Sequence, residues 1–269
     1  MLTATRAFNL NARSAPLLPQ VEELAPLYQW GVSPRQGQVI MIAGRSGSQK
    51  SGFAIFWTRK MRLPTLYMSG DMTAFEATSR LVGMETGEGI EAIEAGLEGP
   101  DRLRYEQSLE DVNITFSFGQ PITFPGIEAE LEAWVELHNC YPAIIVIDNL
   151  MDIDGCEADY SAQQEAMQIL SGLARETGST IIVIHHATDK SYEANSQPGY
   201  PPSRKEIKNG LSEKPQLTLT VALEPEYGEL RIACVKQRSG RSDPSASDFI
   251  RLRAYPEITR FGPLRSSYH

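Results

Sequence analysis

The segment that most restricts the fold is Gly37-Gln-Val-Ile-Met-Ile-Ala43, a short apolar run that passes directly into Gly44-Arg-Ser-Gly-Ser-Gln-Lys50-Ser51. A helical stretch from Lys50 to Met61 follows. Strand, Gly/Ser-rich turn and helix in that order form the context that the phosphate-binding loop motif G-x-x-x-x-G-K-S/T requires. Glycines let successive backbone N–H groups turn towards a phosphate, and the helix N-terminus adds its partial positive charge. In this reading Gly44, Arg45, Ser46, Gly47, Ser48, Gln49, Lys50 and Ser51 bind a nucleotide. Lys50 reaches the β/γ-phosphates and the Ser51 hydroxyl holds Mg²⁺, so ATP and Mg²⁺ are the expected ligands. Gln49 departs from the motif, standing where its second glycine belongs. It either weakens nucleotide binding or turns its amide out of the loop.

Four further runs read as buried strands: Thr65-Leu-Tyr-Met68, Ile114-Thr-Phe116, Ala143-Ile-Ile-Val-Ile147 and Thr180-Ile-Ile-Val-Ile184. Their unbroken apolar character suits a parallel sheet covered on both faces. Helical patterns separate them at 73–84, 127–138 and 161–175. Alternating strands and helices predict an α/β fold with a mostly parallel central sheet. Towards the C-terminus, Gln216–Val221 and Glu229–Val235 alternate around Glu224-Pro-Glu-Tyr-Gly228, which predicts an antiparallel hairpin at the sheet edge. Residues 1–20 lack a sustained period and read as an arm or linker, leaving 21–269 as a single domain. The polar segment 187–207 is too long for a routine connector.

Carboxylates stand where such a sheet places its chemistry. Asp148 ends the run 143–147, at the strand edge where open α/β sheets bind ligands, and can coordinate Mg²⁺; a simple loop cap is the alternative. Hydrolysis also needs a group that orients or deprotonates water in line with the γ-phosphate. Asp71 is the acid at the end of the 65–68 strand and is the candidate base, a role compatible with capping the helix near Thr73.

Several segments in order resemble the ATPase core of DnaB-type hexameric helicases, within the wider RecA-like P-loop family. Met68-Ser-Gly-Asp-Met72 resembles the segment S-L-E-M that carries the family's catalytic glutamate, and Ile145-Val-Ile-Asp-Asn-Leu150 resembles its Walker B sequence V-I-D-Y-L. Ile182-Val-Ile-His-His186 ends where the family places a polar γ-phosphate sensor, a role that falls by position to His186. Pro201-Pro-Ser-Arg-Lys-Glu-Ile-Lys-Asn-Gly210 resembles the segment after DNA-binding loop 2. Val235-Lys-Gln-Arg-Ser-Gly240 resembles K-Q-R-N-G, whose Lys and Arg reach the γ-phosphate held by the adjacent subunit. The resemblance therefore implies that Lys236 and Arg238 act in trans, in a homo-oligomeric ring of six that acts on single-stranded DNA. It spans residues 25–254, and short versions of this kind resemble phage-encoded ATPases, including those of mycobacteriophages. The helical domain that recruits primase in full-length replicative helicases has no counterpart here, Gln49 replaces a loop glycine, and Asp71 is one carbon shorter than Glu.

Charge limits how such a chain meets DNA. The formal net charge is −9, whereas phosphate-gripping domains are usually basic. Any contact is then local, and Lys190, Arg204 and Lys205, with Tyr192 and Tyr200 nearby, are the candidates; solvated loop charge is the alternative. The stretch 151–159 after Walker B is strongly acidic and raises a second possibility, a metal-dependent nuclease. A third is a slowly hydrolysing, ring-forming assembly or regulatory module. Cys140, Cys156 and Cys234 are scattered, fitting reduced, buried thiols rather than disulfides or a zinc site. With no signal-like N-terminus and no run of roughly 18 apolar residues, a cytoplasmic protein is expected, in the host if phage-encoded.

Overall fold

Continuous apolar strands are stable only where both sheet faces are covered, and a computed structural model of the protein shows that arrangement. It describes Thr3, Arg6, residues 15–188 and residues 199–264. The elements in order are α1 (Ala25–Trp30), β1 (Val39–Gly44), α2 (Lys50–Met61), β2 (Thr65–Ser69), α3 (Ala74–Thr86), α4 (Ile90–Leu97), α5 (Arg102–Ser108), β3 (Ile114–Ser117), α6 (Phe124–His138), β4 (Ile144–Asp148), α7 (Tyr160–Thr177), β5 (Thr180–His186), β6 (Leu217–Glu224), β7 (Glu229–Gln237), β8 (Ile250–Tyr255) and β9 (Arg260–Pro263).

Among the described residues one sheet runs in the order β3-β2-β4-β5-β1-β6-β7-β8-β9. It is parallel from β3 to β6 and antiparallel from β6 to β9. The two-residue side-chain period divides each strand between two cores. Ile40, Ile42, Tyr67, Ile144, Val146, Ile182 and Ile184 pack with Phe53, Phe56 and Trp57 of α2. Val39, Met41, Ile145, Ile147, Ile181 and Val183 pack with Ile127, Leu131 and Trp134 of α6 and Met167 and Leu170 of α7.

Helix ends follow local chemistry. Thr73 and Glu76 form a reciprocal capping box on α3, Thr123 caps α6 and Asp159 caps α7. The predicted hairpin is the first half of a four-stranded antiparallel extension, because β8 and β9 continue past it. The acidic stretch 85–111 carries the short helices α4 and α5. Within the segment expected to be an arm, Leu18 N–H donates to the Pro34 carbonyl, Gln36 N–H donates to the Pro16 carbonyl, and Leu18 is buried. Cys140 is exposed, against expectation, while Cys156 and Cys234 are buried free thiols. None of the helices among the described residues is long and apolar enough to cross a membrane.

Candidate functional site

The loop between β1 and α2 has the geometry its sequence implies. Gly44 must lack a side chain: a Cβ there would lie 2.3 Å from Ser48 Oγ and 2.7 Å from the Val221 carbonyl. Gly47 takes φ +72°, the left-handed region that costs glycine little. Lys50 is buried at the start of α2, and its ammonium donates to the Arg45 carbonyl at 2.8 Å, curling back over the loop. Gln49 occupies the left-handed region at φ 65°, ψ 29°, so the backbone keeps the conformation of the missing glycine. Its Oε1 packs above Gly52, 2.7 Å from where a Cβ on that residue would stand. The side chain thus lies on α2, the outward-turned alternative. Arg80 of α3 joins Gly47–Gly52 in lining a cleft of about 160 Å³.

Strand alternation directs the remaining polar groups to the same edge. Asp148 shares the α2-facing side of β4 with Ile144 and Val146. Its carboxylate accepts from the Tyr67 hydroxyl at 2.6 Å and from Ser51. Burial pushes the Asp148 carboxyl above its ordinary range, and the Tyr67 and Ser51 hydrogen bonds pull it back. Burial also pushes the Tyr67 phenol well up, as does the adjacent Asp148 charge. A buried carboxylate and a serine hydroxyl in contact form an all-oxygen donor set, which fits a hard divalent cation such as Mg²⁺. His186 ends β5 opposite Gly44 and by alternation shares the face of Ile182 and Ile184. His185 points to the other face, where burial lowers its pKa to about 4 and its Nε2 lies 3.2 Å from the Lys208 carbonyl.

Asp71 lies just beyond β2, whose Ser69 pairs with Asp148. The Asn149 amide donates to Asp71 Oδ2 at 2.9 Å. Asn149 is itself held, its N–H donating to Asp152 Oδ2 at 3.0 Å and its Oδ1 accepting from Met151 N–H at 2.8 Å. Gly70 packs against Asp152 so closely that a Cβ would meet it at 2.5 Å. Asp152 and Asp159 therefore serve as local caps. Among the described residues no group of three or more His, Cys, Asp or Glu could hold a metal ion.

Lys236 and Arg238 lie elsewhere. Leu217 pairs with both Ile40 and Gln237, placing the end of β7 level with the start of β1. Four residues at about 3.3 Å and two strand spacings of about 4.8 Å put it roughly 16 Å from Gly44, beyond side-chain reach of its own loop. Gln237 fixes this strand end, its amide donating to the Gly31 carbonyl at 3.0 Å and its Oε1 accepting from Ser33 N–H at 2.9 Å. Lys236 points instead at the 204–213 segment, donating to the Glu213 carbonyl. Arg204 lies beside it, with Nε 3.2 Å from Ser212 Oγ and Nη2 3.6 Å from Glu213 Oε1. Lys205 lines a cleft together with Arg204, Ser212 and Glu213.

Lys190 and Tyr192 lie outside the described residues. The Tyr200 ring stacks on the buried Arg231 guanidinium at 4.9 Å and meets Phe249 at a right angle, yet remains partly exposed. Arg231 itself is buried and paired with Glu224 and Glu229, so it adds no charge to the surface.

Residues 20–191 match the AAA domain family over the span that carries the loop, Asp71, Asp148 and His186. The chain belongs to that family. The Gene 65 protein of Mycobacterium phage L5 is 31% identical over 260 residues, covering 94% of this chain and 95% of that protein. One solved ATPase domain superposes with a TM-score of 0.77 at 15% identity, covering 97% of this chain and 96% of that one. A DnaB-like replicative helicase, solved with its interactions with primase, gives 0.76 at 14% identity, covering 97% of this chain and 65% of that one. The fold is that of a RecA-like P-loop ATPase, and the relatives are phage proteins.

Four residues at this AAA site carry no motif signal strong enough to single them out. Tyr67 reads as one more apolar strand residue, and Arg80 as a solvated helix charge. Asn149, beside the Walker B Asp, was the most accessible of them, since it stands where the resembling family has Tyr. Glu206 is buried and pairs with Arg45, whose Nη1 also donates to the Tyr200 carbonyl at 3.0 Å. That contact ties the phosphate loop to the segment following the long loop.

Proposed function

We propose that the protein is an ATP-hydrolysing motor acting on single-stranded DNA, of helicase or recombinase type, working in the host cytoplasm as a homo-oligomeric ring of six with each nucleotide between two subunits. The observation that carries this reading is the placement of Lys236 and Arg238 at the end of β7, level with the start of β1 and remote from the chain's own phosphate loop. A geometry of that kind makes sense when the cations serve a neighbour, and a head-to-tail interface that closes on itself produces a ring.

In this mechanism the loop N–H groups and Lys50 bind the β- and γ-phosphates. Ser51 and Asp148 would hold Mg²⁺, which would supply neutralisation of phosphate charge. Tyr67 holds Asp148 in its ligating orientation. Asp71, steered by the Asn149 amide, orients the attacking water and accepts its proton, and His186 contacts the γ-phosphate from the end of β5. Lys236 and Arg238 of the neighbouring copy stabilise charge developing on the transferred phosphoryl, an effect worth about 10³-fold or more where such arginines have been measured. DNA contact falls to Lys190, Arg204 and Lys205.

A DNA-stimulated ATPase assay with Lys50→Ala and Arg238→Ala beside the native chain tests this. Both variants should lose turnover while Arg238→Ala retains nucleotide binding; intact turnover in assembled Arg238→Ala would sink the reading. The strained Gln49 and the shorter Asp71 favour a second reading, a nucleotide-dependent assembly module with slow hydrolysis. Tight ATP binding with negligible turnover, with or without DNA, would select it.

A further inference from the structure

A charged cleft lies outside the site assigned above. Arg204, Lys205, Gly210, Ser212, Glu213, Pro244 and Ser245 enclose a cleft of about 500 Å³ at the end of β7. Three cations converge beside it. Lys236 bonds to the Glu213 backbone, Arg204 approaches the Glu213 carboxylate, and Arg238 is close enough to repel the Lys236 ammonium, as Arg204 also does. Against them stands the Glu213 carboxylate, on a side chain 79% exposed. In a chain of net charge −9, such a local excess of positive charge invites a multivalent anion.

The arrangement also indicates where the anion sits. The Glu213 carboxylate lies 3.6 Å from one Arg204 nitrogen, and the Lys236 ammonium donates to the Glu213 backbone carbonyl, so among the described residues the single carboxylate is all that this chain sets against the cations here. An exposed glutamate paired at 3.6 Å to one guanidinium nitrogen is weakly held and moves aside at little cost. A phosphate presents more charge and accepts from a guanidinium through two oxygens at once.

We propose that Arg204 is a third phosphate-binding cation of the intersubunit site, acting with Lys236 and Arg238 on the terminal phosphate of a nucleotide held by a second copy of this chain, and that Glu213 is the internal anion this phosphate displaces. The inference rests on the ring reading and changes the role of Arg204, which the sequence suggested as a DNA contact. The burial and like charges that lower the Lys236 pKa to about 8 agree with a site built to be completed by an anion.

The test uses the full chain and two markers. Arg238→Ala reports on the ring reading, and Arg204→Ala on this inference. Arg204→Ala should bind a fluorescent ATP analogue with native affinity at protein concentrations below assembly, yet lose at least about tenfold in turnover without DNA. Arg204→Lys should recover part of that loss. Mixing Arg204→Ala with Lys50→Ala should raise turnover above the sum of the two alone, because Lys50→Ala subunits still donate Arg204 to neighbours that hold ATP. Glu213→Gln should assemble with the analogue at lower protein concentration than the native chain. If Arg238→Ala abolishes turnover while Arg204→Ala keeps it and loses only retention of single-stranded oligonucleotide, Arg204 is a DNA contact and the inference is overturned alone. A loss in Arg204→Ala that no partner subunit complements also overturns it. Native turnover in Arg238→Ala would overturn the ring reading and this inference with it.

Discussion

Gln49→Gly should stabilise the nucleotide-free protein, although it removes a side chain. Gln49 sits at φ 65°, ψ 29°, a conformation that costs a side-chain-bearing residue about 1–2 kcal/mol relative to glycine. Its Oε1 is buried without a hydrogen-bond partner among the described groups, which adds about 1–3 kcal/mol. Opposing these, glycine gains about 0.5–1 kcal/mol of freedom in the unfolded chain, and two half-buried methylenes are lost at no more than about 0.8 kcal/mol each. The balance is a net gain of about 1 kcal/mol, or a rise of about 2–4 °C in Tm for a chain of this size. Gln49→Ala is the comparator, since it removes the orphaned carbonyl but keeps the left-handed strain. Thermal unfolding should rank Gln49→Gly above Gln49→Ala by about 1 kcal/mol. If Gln49→Gly proves no more stable than Gln49→Ala, backbone strain at this position is not the controlling term and the reasoning fails.

Three further outcomes are expected. Tyr67→Phe removes a donor from the buried Asp148, costing about 1–3 kcal/mol of stability. Because the lost bond lowers the Asp148 pKa and the metal needs the ionised form, Mg²⁺-dependent nucleotide binding in Tyr67→Phe should weaken at a higher pH than in the native chain as pH falls; coincident titrations would refute the role. Arg45→Ala strips a cation from the buried Glu206 and should lower stability by about 1–3 kcal/mol, partly restored in Arg45→Lys; a loss under about 0.5 kcal/mol by denaturant titration would contradict the contact's importance. Burial and the neighbouring Arg238 and Arg204 bring the Lys236 pKa down to about 8, so its charge is lost as pH rises through that value. Turnover that depends on it should fall above about pH 8, and Lys236→Arg should flatten that limb.

Much of the fold was legible because the signals are local. Five apolar runs of strand length, four of them followed by a helical period, leave little choice beyond a covered parallel sheet, and each of those runs forms a strand. The β1–loop–α2 unit was readable in order and in the start of α2 at Lys50, with β1 running Val39–Gly44 rather than 37–43, since phosphate-loop chemistry dictates residue types at fixed spacing. β8 and β9 went unread, although Ile250–Tyr255 alternates arginines with the buried Leu252 and Ala254 as a half-buried strand does; the runs are short, and pairing with β7 and with each other identifies them as sheet.

By itself the sequence determined the architecture, the nucleotide loop and the identity of Asp148 as a strand-end carboxylate, because these depend on periodicity and on neighbours along the chain. Only the tertiary structure decided which groups face one another. Strand alternation and parallel pairing, not chain distance, bring Tyr67 to Asp148, Asn149 to Asp71 and His186 to Gly44. The same pairing carries Lys236 and Arg238 away from the chain's own phosphate loop and sets Arg204 beside Lys236. Those contacts join residues up to scores of positions apart, and the energy that selects them comes from burying both sheet faces, a property no single segment possesses.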